Sequence, residues 1–152
     1  MPATSSNRRF VTSAEIDHVD LEWCHVEWLS HPNIVAAKHL LLCRATFPPD
    51  QAHNFHYHPV HEEILYILEG EAEQWVGEEK RVLKAGEIAH IPTGVPHCTF
   101  NNGPVTLRFL AMLGPTGPDG PMVVDCFNDE PWKSLRPPIF YQSQQARSGD
   151  QV

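Results

Sequence analysis

From His56 to Gly70 the sequence runs HYHPVHEEILYILEG. It opens on two histidines one residue apart, His56 and His58, passes a short loop at Pro59, and reaches the paired acids Glu62 and Glu63. An apolar run from Ile64 to Leu68 follows, stopped by Gly70. Residues two apart in a strand share a face and lie roughly 6.5–7 Å apart, so both imidazoles can converge on one point. Imidazole with a nearby carboxylate is the usual donor set for a catalytic first-row metal. Glu63 adjoins an apolar run, where an unpaired buried acid costs several kcal/mol. A divalent cation would supply the partner. Glu62 is the rival for that role. A further histidine, His97, follows the constrained turn Pro92-Thr93-Gly94-Val95-Pro96.

Working outward, short apolar stretches alternate with Gly and Pro. Strands are expected over Leu21–Leu29, Lys38–Phe47, His53–His58, Glu63–Leu68, Glu71–Val76, Arg81–Leu83, Ile88–Ile91, His97–Phe100 and Val105–Leu113. Strands of this length with turn residues between them indicate an all-β sandwich or barrel. Thr12-Ser13-Ala14-Glu15 has the T-x-x-E form of a capping box and can open one helical turn. Residues 1–20 read as an N-terminal arm and 21–113 as the barrel. Residues 114–152 read as a Gly/Pro connector (GPTGPDGP), an edge strand over Met122–Phe127, the docked ring of Trp132, and a tail frayed after Tyr141.

A chain of this length fits one domain with a real core. Its formal charge of −8 argues against nucleic acid and anionic membrane surfaces. No apolar segment follows Arg8-Arg9, so no export signal is expected, and no run approaches the length of a membrane span. Cys24, Cys43, Cys98 and Cys126 show no CxxC pattern and read as reduced, packed thiols of a cytoplasmic protein.

The combined spacing resembles the cupin superfamily, small jelly-roll β-barrels. Its first motif is G-x5-H-x-H-x(3,4)-E-x6-G, matched by His56, His58, Glu63 and Gly70, with Asp50 where the leading glycine belongs. The second, G-x5-P-x-G-x2-H-x3-N, is matched by Gly86, Pro92, Gly94, His97 and Asn101. The resemblance implies a single-domain jelly-roll barrel in which His56, His58, Glu63 and His97 hold one divalent transition metal ion (Fe, Mn, Ni or Zn). It also implies a homodimer, with Leu21–Leu29 as the candidate interface.

The implied activity is metal-dependent chemistry on a small oxygenated molecule. Dioxygenase-type oxidation with Glu63 as general base is favoured over isomerisation, epimerisation or elimination on a sugar acid, and over binding without catalysis. Asn54, two before His56, and Gln74 are candidate substrate contacts. His53, of opposite parity, and His61, in the loop, are expected to face solvent. His90 is either a support for the ligands or a surface residue. Cys98 is expected to face away from the site.

Overall fold

The computed structural model describes residues 8–117 and 120–143. A 3-10 turn at Ser13–Glu15 carries the expected capping box, with the Thr12 backbone N–H donating to Glu15 Oε2 at 2.8 Å. Eleven strands follow: β1 (Asp17–Asp20), β2 (His25–Ser30), β3 (Leu41–Phe47), β4 (Ala52–Tyr57), β5 (Glu62–Glu69), β6 (Glu71–Val76), β7 (Glu79–Lys84), β8 (Ile88–Ile91), β9 (His97–Phe100), β10 (Leu107–Gly114) and β11 (Val124–Asp125). One short helix, α1 (Trp132–Leu135), comes last. The strands form two antiparallel sheets, ordered β1-β2-β3-β10-β5-β8 and β11-β4-β9-β6-β7. This is the expected all-β jelly-roll barrel. No helix among the described residues is long and apolar enough to cross a membrane.

Alternation explains the core. In β3 and β10 every second residue is buried, so Leu41, Cys43, Ala45 and Phe47 face inward beside Leu107, Phe109, Ala111 and Leu113. A second cluster lies behind the other sheet, where Phe55, Trp75, Cys98, Phe100, Cys126 and Phe127 pack together. Cys98 is therefore a packed thiol on the face away from the site. Trp132 closes this cluster with its ring 5.0 Å from that of Phe55.

Three stretches depart from the expected organisation. Asp17–Asp20 lies in the presumed arm, yet it pairs with β2 as the edge of the six-stranded sheet. Its side chains are all exposed, so it carries no apolar alternation to read. The expected strand at Leu21–Leu29 begins only at His25. Trp23 and Cys24 occupy the bend before it and are buried, so the aromatic-rich start of that segment is a corner. Gln142 and Ser143, placed by the sequence in a frayed tail, donate backbone N–H bonds to Glu22, each at 3.0 Å.

Motif residues that bear no ligand atom set the turns. Asp50, in the place of a glycine, has a φ of 63°, the left-handed conformation that Gly adopts freely and Asp tolerates. Asn101 is fully buried and donates to the carbonyls of Phe47 and Val105 at 3.0 and 2.9 Å. Gly70 has a φ of +77° and lies so close to β10 that a Cβ there would meet the Thr106 carbonyl oxygen at 2.6 Å. Gly94 has the same φ with nothing within 4 Å. Gly94→Ala should therefore cost about 1 kcal/mol from the backbone alone, and Gly70→Ala a further 1–3 kcal/mol or so from the clash. Urea unfolding of both variants checks this; equal losses would show that the close approach to β10 carries no energetic weight.

Candidate metal centre

The site is built on β4, β5 and β9. His56 and His97 are directly paired across β4 and β9. His58 follows the end of β4, and Glu63 enters from β5 in the opposite sheet. In β5 the alternation turns Glu63 inward and Glu62 outward, where Glu62 lies 3.1 Å from His90 Nε2. That contact makes His90 an exposed surface residue.

Each of the three histidines has Nδ1 against a backbone carbonyl oxygen. His56 Nδ1 lies 2.7 Å from the oxygen of Asn54, His58 Nδ1 2.7 Å from that of Met122, and His97 Nδ1 2.9 Å from that of Val95. A carbonyl only accepts, so Nδ1 is the protonated nitrogen and Nε2 carries the lone pair. The Nε2 atoms of His58 and His97 face the same carboxylate oxygen, Glu63 Oε2, at 2.9 and 3.1 Å. The ligand atoms of His56, His58 and His97 lie within 4.8 Å of one another. All four residues are buried. Lone pairs turned toward a buried carboxylate repel it unless a proton or a cation lies between them. Histidines whose second nitrogen is anchored to a carbonyl are typical metal ligands. The donor set therefore fits a divalent ion held by the three imidazoles.

The electrostatics of the ion-free cluster follow from burial and from Glu63. Burial favours the protonated Glu63 acid, but without an ion the protons that His58 and His97 take up on Nε2 are donated to the carboxylate, outweigh burial and hold its pKa down at about 2. Burial also disfavours charge on His58, yet the Glu63 carboxylate prevails and its pKa is raised. Burial, reinforced by neighbouring imidazoles, keeps His56 well below the ordinary range.

His53 faces the cavity, not solvent as its parity suggested. The β4–β9 register shifts between His53 and His56, and this bulge puts both rings on one side. Their centroids are 3.5 Å apart and nearly parallel, and Trp23 stacks on the far side of His53 at 4.3 Å. Burial first, then the charge of His97, lowers the His53 pKa to about 3. His61 is likewise buried rather than solvent-facing. Among the described residues its Nδ1 is the one buried side-chain nitrogen or oxygen without a hydrogen-bond partner.

The two candidate substrate contacts hold protein groups instead. Asn54 Nδ2 donates to the Ile139 carbonyl at 2.6 Å and its Oδ1 accepts from the Ile139 N–H at 3.0 Å, so it fastens the C-terminal segment to the outside of β4. The same bulge that brings His53 in separates Asn54 from the face of His56. Gln74 is buried and accepts from Thr99 Oγ1 at 2.6 Å, while its own amide donates to the Trp75 carbonyl at 3.0 Å. Thr99 lines the cavity and Gln74 stands behind it. Sequence reasoning missed His53, Trp23 and Thr99 as cavity residues. Neither the bulge nor the Trp23 bend leaves a periodic signal.

The cavity in front of the four donors measures about 270 Å³. Its walls are mainly apolar, including Trp23, Trp28, Phe47, Leu65, Phe109 and Met122, and no Lys or Arg among the described residues lines it.

A cupin domain model matches residues 43–113. The uncharacterized protein MJ1618 of Methanocaldococcus jannaschii is 37% identical over 87 residues, which cover 57% of this chain and 70% of that protein. Tetracenomycin polyketide synthase protein TcmJ of Streptomyces glaucescens is 29% identical over 87 residues, 57% of this chain and 58% of TcmJ. The chain thus spans less than two thirds of TcmJ. Among solved structures, Bacillus subtilis oxalate decarboxylase, with its Mn(II) centres, matches with a TM-score of 0.62 at 22% identity, over 70% of this chain and 29% of that one. At that identity the likeness shows the fold alone.

Protein stripped of metal by a chelator should lose stability as pH falls below about 6.5. His53 and His56 have folded pKa values below that of free imidazole, so the unfolded chain takes up protons first. Each contributes a slope of about 1.4 kcal/mol per pH unit below 6.5; His58, whose pKa is raised, acts in the opposite sense and mainly above 6.5, where it adds stability as pH falls. Glu63 adds a further loss as pH falls from its unfolded value toward about 2. Urea midpoints at pH 6.5, 6.0 and 5.5 test the sign, and a midpoint that rises on acidification across that range would contradict it. By fold, by the two motifs and by the matching family model, this chain belongs to the cupin family.

Proposed function

We propose that the protein is a metal-dependent enzyme acting on a small, oxygenated, largely apolar molecule, and that dioxygenase-type oxidation is its reaction. The observation that carries this reading is the cavity: His56, His58, His97 and Glu63 in its lining, mainly apolar walls that also hold Asp125, and no Lys or Arg among the described residues. His56, His58, His97 and Glu63 are the proposed ligands. A divalent ion with three neutral imidazoles and one carboxylate carries a net charge near +1. A singly deprotonated substrate, such as an enolate or phenolate, balances that charge; a dianion such as oxalate would leave an uncompensated negative charge among apolar walls, which is costly. When bound, the ion supplies Lewis acidity and, if iron or manganese, redox chemistry.

The chain's own groups do the rest. Glu63, held ionised, is placed to accept a substrate proton as general base. Trp23, Trp28, Phe47 and Phe109 bind an apolar skeleton and exclude water. The similarity to TcmJ supports an oxygenated carbon skeleton of the polyketide kind as the substrate class. A second reading, metal-dependent isomerisation or elimination, is favoured by one observation. His53 lines the cavity beside His56, and histidine is a residue type that such chemistry uses as a second base.

Elemental analysis of untagged protein, followed by oxygen-uptake assays with enolisable ring-bearing ketones, phenols, oxalate and sugar acids, tests the proposal. Bound iron or manganese with uptake on an apolar enol or phenol is expected, and Glu63→Gln should lower kcat by about 10²–10⁴-fold. Turnover without oxygen uptake would favour the isomerase reading. Tight binding with no turnover would leave a ligand-binding cupin.

A reducing, cytoplasmic location is consistent with four free, buried cysteines. We also propose a homodimer. Trp23 is buried in the bend, and Val26 and Trp28 line the cavity, so most of the apolar surface of the expected interface is used inside the barrel. Support comes instead from the outer face of the six-stranded sheet, where Ile64, Tyr66, Leu68 and Ile88 are exposed together on β5 and β8. A sedimentation mass of twice the chain is expected, reduced by Tyr66→Glu; a monomer mass would refute pairing.

A further inference from the structure

Opposite pairing on the β1–β2 hairpin puts four polar side chains on one face. His18 stands opposite Glu27, and Asp20 opposite His25. Residues two apart share a face, so all four point the same way, while Val26 and Trp28 on the other side line the cavity. The imidazoles of His18 and His25 are stacked, with centroids 5.3 Å apart. His18 Nδ1 and His25 Nε2 face each other at 3.2 Å. The ligand atoms of His18, His25 and Glu27 all lie within 4.8 Å of one another.

We propose that this hairpin face is a second metal site, in which His18 Nδ1, His25 Nε2 and a Glu27 oxygen hold a Zn²⁺-class ion. Two nitrogens bound at roughly 2.0–2.1 Å to a tetrahedral Zn²⁺ lie about 3.3 Å apart, which is the separation already present. His25 is also oriented for ligation. Its Nδ1 lies 2.5 Å from Asp20 Oδ1, so the proton is on Nδ1 and the Nε2 lone pair points at His18. A carboxylate behind the ligating imidazole is the arrangement that fixes a metal-binding histidine. Without an ion, the His18 Nδ1–H donates to His25 Nε2; the ion replaces that proton.

Glu27 is held by Arg44, whose Nε and a terminal nitrogen donate at 2.6 and 2.7 Å. A carboxylate accepts at about four lone-pair positions, so the two bonds from Arg44 leave capacity for an ion. Two neutral imidazoles and one carboxylate suit zinc, copper or nickel better than magnesium or calcium. The site is open to solvent, with His18 exposed and His25 partly so, and water completes the coordination. An ion here ties β1 to β2 and stiffens the hairpin whose inner face is a cavity wall.

The test is a ZnCl₂ titration of the full-length protein against a chromophoric chelator at neutral pH, with folding followed by circular dichroism. Wild type is expected to bind two equivalents and His18→Gln/His25→Gln one, while Asp20→Asn weakens the second equivalent about 10–100-fold. One equivalent in wild type, or two in the double variant, overturns the proposal. Should the double variant misfold, the ring-proton resonances of His18 and His25 in wild type decide: they shift with the second equivalent, or the site is not there.

Discussion

Three backbone carbonyls govern the chemistry of this protein. The carbonyl oxygens of Asn54, Met122 and Val95 each face one Nδ1 of His56, His58 or His97. Because a carbonyl cannot donate, each contact selects one tautomer and turns a bare Nε2 toward the interior. Glu63, arriving from the other sheet, meets two of those nitrogens with a single oxygen. The cluster is stable only with positive charge at its centre. A buried carboxylate among imidazoles suits either shared protons or a divalent ion, and the walls of the cavity then determine what reaches it.

The supporting backbone is specific in the same sense. Two of the carbonyls belong to residues two positions before the histidine they orient, Asn54 for His56 and Val95 for His97. The third reaches in from Met122, in the segment just before β11. The C-terminal segment is part of the same support. Asn54 holds Ile139, and the Tyr141 hydroxyl accepts from the Ala52 N–H at 3.1 Å. Residues after the barrel proper thus help fix β4, the strand that carries His53 and His56.

Much of this was legible in the sequence. The His56/His58/Glu63/Gly70 and Gly86/Pro92/Gly94/His97/Asn101 spacings pointed to sheet positions that the fold brings together, since these side chains follow turns set by a residue with a special φ or a fixed ring. That Glu63 rather than Glu62 turns inward was readable because β5 alternates from Glu62 to Leu68. What failed did so where alternation breaks. One extra residue in β4 carried His53 into the cavity and Asn54 out of it. A bend turned Trp23 inward at the start of a presumed strand. Asp17–Asp20 forms a strand with no buried side to betray it. The outer histidine pair was invisible for the same reason, because it depends on β1 pairing with β2.

An anomalous difference map from crystals of the metal-bound protein, collected at the absorption edge of the bound ion, shows where the ion sits. A peak is expected inside the barrel within about 2.0–2.3 Å of Nε2 of His56, His58 and His97 and of one Glu63 oxygen. Metal-saturated crystals with no peak among these four side chains, or with a peak reached by fewer than three of the imidazoles, would contradict that ligand set.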